Sequence, residues 1–477
     1  MPKNRAGMTI TRRELIKAGA ASGALLLARP YGALAQVLGP AAEFSTSRES
    51  RLFPGTWVAH ADLHNHTLQS DGDGDPALAF ASMRAAGLDV AALTDHATVG
   101  LSLPEELGSA CSECSSLAGI DEAKWQRTKE LADEAQVDDS FTAIRGFEWS
   151  SPTLGHINVW FSETWTDPLH TAATTTGEGL GQFMHDEMQY DEYRFPREVS
   201  EPLDAFIRSS PATGLSMEPF YRWLSSPSST PILGGGSDGI AGFNHPGREV
   251  GRFGYFSHKP ELRDRLVSCE VFNRREDYIF EGTDSGVQSP INECLNAGWR
   301  VGLLGVTDEH GTDWGYPDGK GRTGLWVTTL DRAGVREALE ARRFFSTRLR
   351  GLRVDAAANG VRMGGSLDHG SGPVTFKLDI DRGEAFWGKA LNIQVLMSGT
   401  YMPTVVDSID VTVPAADDPV GIIEFTTDID VAEGNWVVLR ISDPSEPADG
   451  RATGEWTGFG NAIAYLSPFF LNPAAAT

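Results

Sequence analysis

Five times along this chain a short apolar run ends in a histidine or an acid. Trp57-Val58-Ala59 leads to His64-Asn65-His66, Val90-Ala91-Ala92-Leu93 to Asp95-His96, and a run from Phe141 to Glu148. Ile240 to Phe243 leads to Asn244-His245, and Val301 to Val306 to Asp308-Glu309-His310. A further residue of this kind, His156, opens the run Ile157 to Trp160. Short apolar runs bounded by turn residues read as buried strands. Side chains alternate along a strand, so His64 and His66 point the same way, and Asp308 and His310 repeat that spacing. A single His-x-His pair is an ordinary surface feature. A series of such residues at strand ends is not, because catalytic side chains collect at the carboxyl ends of parallel strands in barrels.

Between these runs the signals are helical. Asp75 is placed as an N-cap, Pro76 as the first helical residue and Gly87 as the stop, which predicts a helix to Ala86. Asp121 to Gln136 places Trp125, Thr128, Leu131 and Ala132 on one side. Ser289 is expected to cap a helix to Ala297, and Asp331 one to Arg343 with Val335, Leu339 and Phe344 inward. Strands alternating with helices favour a parallel sheet with helices outside. Asp71-Gly72-Asp73-Gly74-Asp75 imitates a calcium loop, but Pro76 and Ser82 stand where that loop needs Gly and Glu. Asp73 and Asp75 therefore read as turn and cap residues.

Taken together, His64-x-His66, Ser70-Asp71-Gly72, Thr94-Asp95-His96, Glu148, His156, Asn244-His245-Pro246 and Asp308-x-His310 resemble the PHP (polymerase and histidinol phosphatase) superfamily. The match is nearest its secreted metallohydrolase branch, whose members hydrolyse carbamates and phosphoesters, and it spans about residues 55–350. The resemblance implies an α/β fold, a distorted TIM-like (β/α)7 barrel, and a cluster of two or three divalent ions. His64, His66, Glu148 and Asp308 would hold the first ion. Glu148 would bridge to a second, held also by His156 and His245. Asp71, His96 and His310 would hold the third. Asp95 is expected to orient a neighbouring ligand histidine from outside the cluster. Glu270, in the strand 266–273, is expected near the cluster as an outer acceptor rather than a ligand.

The remaining segments differ in composition. Thr11-Arg12-Arg13-Glu14-Leu15-Ile16-Lys17, an apolar run from Ala18 to Ala28 and Ala33-Leu34-Ala35 form a twin-arginine signal peptide over residues 1–35. This implies the twin-arginine export machinery as a partner, a periplasmic or secreted location and no membrane anchor after cleavage. Residues 36–54 read as a linker, and 162–230 as an insertion or substrate lid in which His170 and His185 are exposed. From about 351 to 477 short alternating runs separated by Gly, Asp, Pro and Ser predict an all-β sandwich. Cys111, Cys114, Cys269 and Cys294 allow three disulfide pairings or a zinc site, and read as structural or free cysteines. A formal net charge of −25 argues against nucleic acid or an anionic membrane as partner.

Neutral imidazoles and carboxylates suit zinc, manganese or iron. A hydroxide bridging such ions forms near neutral pH, because they lower the pKa of bound water to about 7. No Walker A loop is present. The expected activity is hydrolysis of a small phosphoester. The alternatives are hydrolysis of a carbamate or carboxylic ester by the same cluster, and a secreted binding protein whose metals are structural. Arg248 is a candidate for the substrate anion, or else a surface arginine. Arg274 and Arg275 face either substrate or solvent.

Overall fold

Asp75, Asp121 and Asp331 accept hydrogen bonds from the backbone N–H groups of Ala77, Lys124 and Gly334 at 2.9, 2.8 and 2.7 Å. They satisfy N–H groups that a helix start leaves without partners. The helices they cap are α1 (Pro76–Ala85), α2 (Glu122–Ala135) and, later in the chain, α5 (Arg332–Glu340). Between them lie α3 (Glu218–Ser225) and α4 (Pro290–Asn296). Ser289 makes no capping bond to α4, contrary to expectation. Pro290 at the first position has no N–H to satisfy and already holds a helical φ. Phe344, expected to face inward just past this last helix, α5, is buried and opens a strand. The computed structural model describes residues 48–97, 119–151, 154–168, 216–230, 234–249, 251–315, 319–415 and 421–473. Residues 1–35, read as a signal peptide, Cys111, Cys114, His170, His185 and most of residues 162–230 lie outside the described residues.

The N-terminal strands are β1 (Trp57–Asp62), β2 (Val90–Leu93), β3 (His96–Ala97), β4 (Thr142–Ser151), β5 (Gly155–Trp160) and β6 (Ile240–Phe243). β7 (Leu266–Asn273), β8 (Glu276–Asp277), β9 (Gly302–Val306), β10 (Arg322–Val327) and β11 (Phe344–Thr347) follow. Pairing is parallel for β1/β2, β2/β4, β3/β4, β6/β7 and β7/β9. It is antiparallel for β4/β5, β5/β6, β1/β10 and β10/β11. The sheet is therefore mixed rather than parallel throughout. Only three residues separate β4 from β5, and a parallel crossover needs about a dozen.

One face of these strands is a single buried cluster. Ala61, Ile144, Trp160, Ile240, Val267 and Leu304, from six different strands, meet in it. On the other face Phe80 and Met83 of α1 and Leu131 of α2 cover Ala91, Leu93 and Ala143. Beyond the carboxyl ends of β1 and β9, Asn65 bridges to Glu309, and the His66 N–H donates to the Glu309 carbonyl at 2.9 Å. That link brings the first and last donor segments of the sequence side by side.

The C-terminal strands are β12 (Arg353–Ala358), β13 (Val361–Arg362), β14 (Ser366–His369), β15 (Ser371–Asp381) and β16 (Ala390–Met397). β17 (Thr404–Thr412), β18 (Ile423–Asp430), β19 (Trp436–Asp443), β20 (Asn461–Leu466) and β21 (Phe469–Pro473) complete them. One antiparallel sheet runs β13-β12-β15-β18. In a second, β16 lies between β17 and β19, β19 pairs β20, and β20 pairs β11 of the N-terminal segment. Val354, Phe376 and Leu378 from the first sheet and Ile393, Val395 and Leu439 from the second share one core.

Candidate metal centre

Asn65 sets the opening pair of histidines. Its N–H donates to Thr94 Oγ1 at 3.1 Å, its carbonyl accepts from the Thr94 N–H at 2.9 Å, and its side chain donates to the Ala92 carbonyl. With Asn65 stitched to the β2 end, its two neighbours turn the other way. His64 Nε2 and His66 Nε2 come within 3.0 Å. Asp62 fixes the facing strand end by accepting from the N–H and hydroxyl of Thr307 at 3.1 and 2.5 Å. Asp308 follows and turns its Oδ1 to within 3.2 Å of His66 Nε2 and 3.5 Å of His64 Nε2.

Glu148, fully buried on β4, lies at the centre. Its Oε1 is 3.2 Å from His64 Nε2, 3.2 Å from His156 Nδ1 and 3.3 Å from His245 Nε2. Its Oε2 is 2.7 Å from His96 Nδ1 and 3.4 Å from His66 Nε2. Asn244 holds it in place by donating to Oε1 at 2.7 Å. Asp71 completes another group, 3.6 Å from His96 Nε2 and 3.4 Å from His310 Nε2. Asp71 is presented by a tight loop in which the Ser70 and Gly72 N–H groups donate to the Thr67 carbonyl. A Cβ on Gly72 would lie 2.6 Å from Thr67 N and 2.7 Å from the His66 carbonyl carbon, so the loop has room for glycine only.

The nine residues named as ligands from the sequence thus lie in one cluster. Three sets have donor atoms close enough for one ion: His64, His66 and Asp308; His66, Asp71, His96 and His310; and His96, Glu148 and His156. His66 and His96 each belong to two sets. A fourth set, His156, His245 and Glu249, includes an acid that the sequence reading missed. Its only local signal is a carboxylate four residues beyond His245.

Asp95 differs from expectation. Its carboxylate accepts from the Thr67 N–H at 2.7 Å and from the Ser70 hydroxyl at 2.7 Å, not from a ligand imidazole. It anchors the loop that carries Asp71, because that loop crosses directly over the β2 end. Glu270 accepts from His64 Nδ1–H at 2.8 Å and from the His245 N–H at 2.7 Å, outside the donor sets. Arg248 is about one-third exposed, with Nε 3.8 Å from Glu249 Oε1. Arg274 is nearer the cluster: its Nε lies 3.3 Å from Asp308 Oδ2, and it reaches His310 Nδ1 at 3.1 Å while 45% of its side chain stays exposed. His245, Arg274 and Asp308 have φ of +23°, +50° and +48°. Side chains rarely adopt such values, and residues held there cluster at functional sites.

The electrostatics are those of a site built around cations. Burial opposes the charged form of His64, yet Glu148, Asp308 and Glu270 outweigh it and raise its pKa well above the usual imidazole range. Burial also opposes ionised Glu148, but His64, His96 and His156 hold its carboxyl well below the usual range. Burial, with repulsion from His310 and His96, pushes His66 down to about 3, so its ring is neutral and free to donate a lone pair. His66 Nδ1, His156 Nδ1, His245 Nδ1 and Glu249 Oε2 are buried without a hydrogen-bond partner. Unpaired buried donors and acceptors are costly unless something else meets them. A divalent ion fits His66 Nδ1 and His156 Nδ1, which face the carboxylates of Asp71 and Glu148.

No family model and no curated protein matches the chain. Solved structures do. Its neighbours include PHP-like metallohydrolases. A two-domain protein containing a predicted PHP-like metal-dependent phosphoesterase from Bacteroides vulgatus is 14% identical, with a TM-score of 0.39 over 89% of this chain and 98% of that one. A proposed metal-dependent phosphoesterase from Bifidobacterium adolescentis is 14% identical, with a TM-score of 0.25 over 55% and 90% of the two chains. An amidohydrolase from Chromobacterium violaceum, with bound sulfate and no metal, is 16% identical, with a TM-score of 0.21 over 53% and 88%.

Proposed function

We propose that this chain is a PHP-type metal-dependent hydrolase that cleaves small phosphoesters. The observation that carries the proposal is the position of Glu148, whose two oxygens lie within 3.4 Å of ring nitrogens from five histidines. A buried carboxylate so surrounded is suited to bridge cations. His64, His66 and Asp308 would hold one ion, His156 and His245 with Glu148 a second, and Asp71, His96 and His310 a third. Zinc, manganese or iron would supply Lewis acidity and an acidified water of pKa about 7.

The protein's own part is to bind and orient. Arg274 favours an anionic substrate, because it is a half-exposed guanidinium directly beside the donor cluster in a chain of net charge −25. A local positive group can hold a phosphoryl oxygen where the overall field repels it. A carbamate or carboxylic ester remains the second reading, since the same donors serve it. We read the N-terminal strands as the (β/α)7 barrel, since six of them share one apolar cluster, and the two C-terminal sheets as a sandwich, since Val354, Phe376 and Leu378 of one pack with Ile393, Val395 and Leu439 of the other. We also propose export through the twin-arginine route, on the Arg12-Arg13 motif. Purified protein assayed on aryl phosphate and aryl carbamate, with and without chelator, tests the function. Metal-dependent turnover of the phosphate is expected; turnover that survives complete metal removal refutes it.

A further inference from the structure

Glu249 stands behind two of the proposed ligands. His156 Nδ1 and His245 Nε2 face Glu148 at 3.2 and 3.3 Å. The opposite nitrogens of the same rings, His156 Nε2 and His245 Nδ1, face a single oxygen, Glu249 Oε1, at 3.9 and 3.7 Å. The two rings lie edge to face, 4.8 Å apart between centroids. They are therefore held between a front carboxylate and a back carboxylate. Glu249 is 6% exposed, and its Oε2 has no hydrogen-bond partner.

Glu249 could itself bind a cation, or it could orient the imidazoles. The chemistry of the rings decides. A neutral imidazole has one lone pair and one N–H, so a nitrogen that binds an ion in front leaves an N–H behind. Ions on both sides would require both rings to lose that proton. Two back N–H groups need an acceptor, and Glu249 Oε1 stands between them at 3.7 and 3.9 Å, longer than a formed hydrogen bond and close enough for a small ring movement to make one.

We propose that Glu249 is a positioning residue that orients His156 and His245 together and so sets the affinity of the second ion. The inference rests on the metal-centre reading above, but not on the substrate. Outer carboxylates of this kind typically change metal affinity by about 10- to 100-fold. The test is titration of zinc or manganese into the metal-free full chain against a competing chelator, with bound metal counted per chain. Glu249→Ala is expected to weaken one ion by about 10- to 100-fold and to leave the others unchanged. Saturating metal should restore the wild-type ion count. Glu249→Gln, which keeps an acceptor oxygen, should recover most of the affinity even if the alanine variant folds poorly. Wild-type affinities in both variants would overturn the proposal. So would one ion fewer per chain at saturation, which would make Glu249 a direct ligand. A wild-type chain that binds its metals but hydrolyses neither ester would refute the proposed activity and leave this inference standing.

Discussion

His64 donates through Nδ1 to Glu270 Oε1 at 2.8 Å, and both side chains are buried. The bond fixes the orientation of the His64 ring and turns Nε2 toward His66, Glu148 and Asp308. Glu270 also accepts from the His245 N–H, so one acid aligns two donor segments. Glu270→Ala is expected to lower metal affinity by about 10- to 100-fold, read by competitive chelator titration. Unchanged affinity in a folded variant would show that the bond has no orienting role.

Metal removal should destabilise the chain. Ions that bind the folded state alone add stability as RT ln(1 + [L]/Kd), about 2.7 kcal/mol at one hundred times Kd. Adding a chelator is therefore expected to lower Tm by several degrees and abolish turnover together, and zinc, manganese or iron should restore both. Calorimetry alongside the ester assay checks this.

Arg274→Gln should reduce kcat/KM for an aryl phosphate by about 10- to 100-fold, which matches the roughly 1.5–3 kcal/mol of a hydrogen bond to a charged group. A neutral aryl ester should change by less than about threefold, since it offers no oxyanion in the ground state. An equal loss on both substrates would assign Arg274 to holding Asp308 rather than to binding substrate.

Gly72→Ala should remove one ion selectively. The added methyl would press on the backbone at Thr67 and His66 and displace Asp71 from His96 and His310. Metal counts per chain should fall by one in the variant. A full count at wild-type affinity would mean that the loop adjusts.

His60 gives the fold an acid sensitivity of its own. Burial, and then the nearby Arg322 and Arg48, push its pKa down from 6.5 to about 3. The unfolded chain takes up this proton below about pH 6.5, while the folded chain resists it down to about 3. Stability from this residue is therefore complete above pH 6.5 and is lost as pH falls. The slope is about 1.4 kcal/mol per pH unit in that window. His60→Gln should flatten the dependence of unfolding free energy on pH between 4 and 6, measured by urea titration. An unchanged slope would sink the assignment.

Much of the local structure is legible in the sequence. The Asp75 and Asp331 caps act locally, on N–H groups two and three residues away, so their residue types alone announced them. Eight of the nine donors stand out because each follows or opens a recognisable apolar run; Asp71, and the grouping of all nine as ligands, came from the resemblance to the PHP superfamily. Glu249 could not be found this way, and Arg274 could be named but not assigned to substrate or to solvent. An acid and an arginine beside other charged residues carry no periodic signal, and only packing turns one behind two imidazoles and the other onto Asp308. The direction of β5 was equally hidden, because periodicity gives a strand its pattern but not its partner.

By itself, then, the sequence determined the local chemistry: which segments extend, which coil, where helices begin and which side chains can donate to a metal. These follow from one residue and its near neighbours. The tertiary structure decided which ring nitrogen faces which oxygen, that Asp95 anchors a loop, and that Asn65 and Glu309 join the first and last donor segments. Those relations depend on contacts between residues tens to hundreds of positions apart, and no local pattern encodes them.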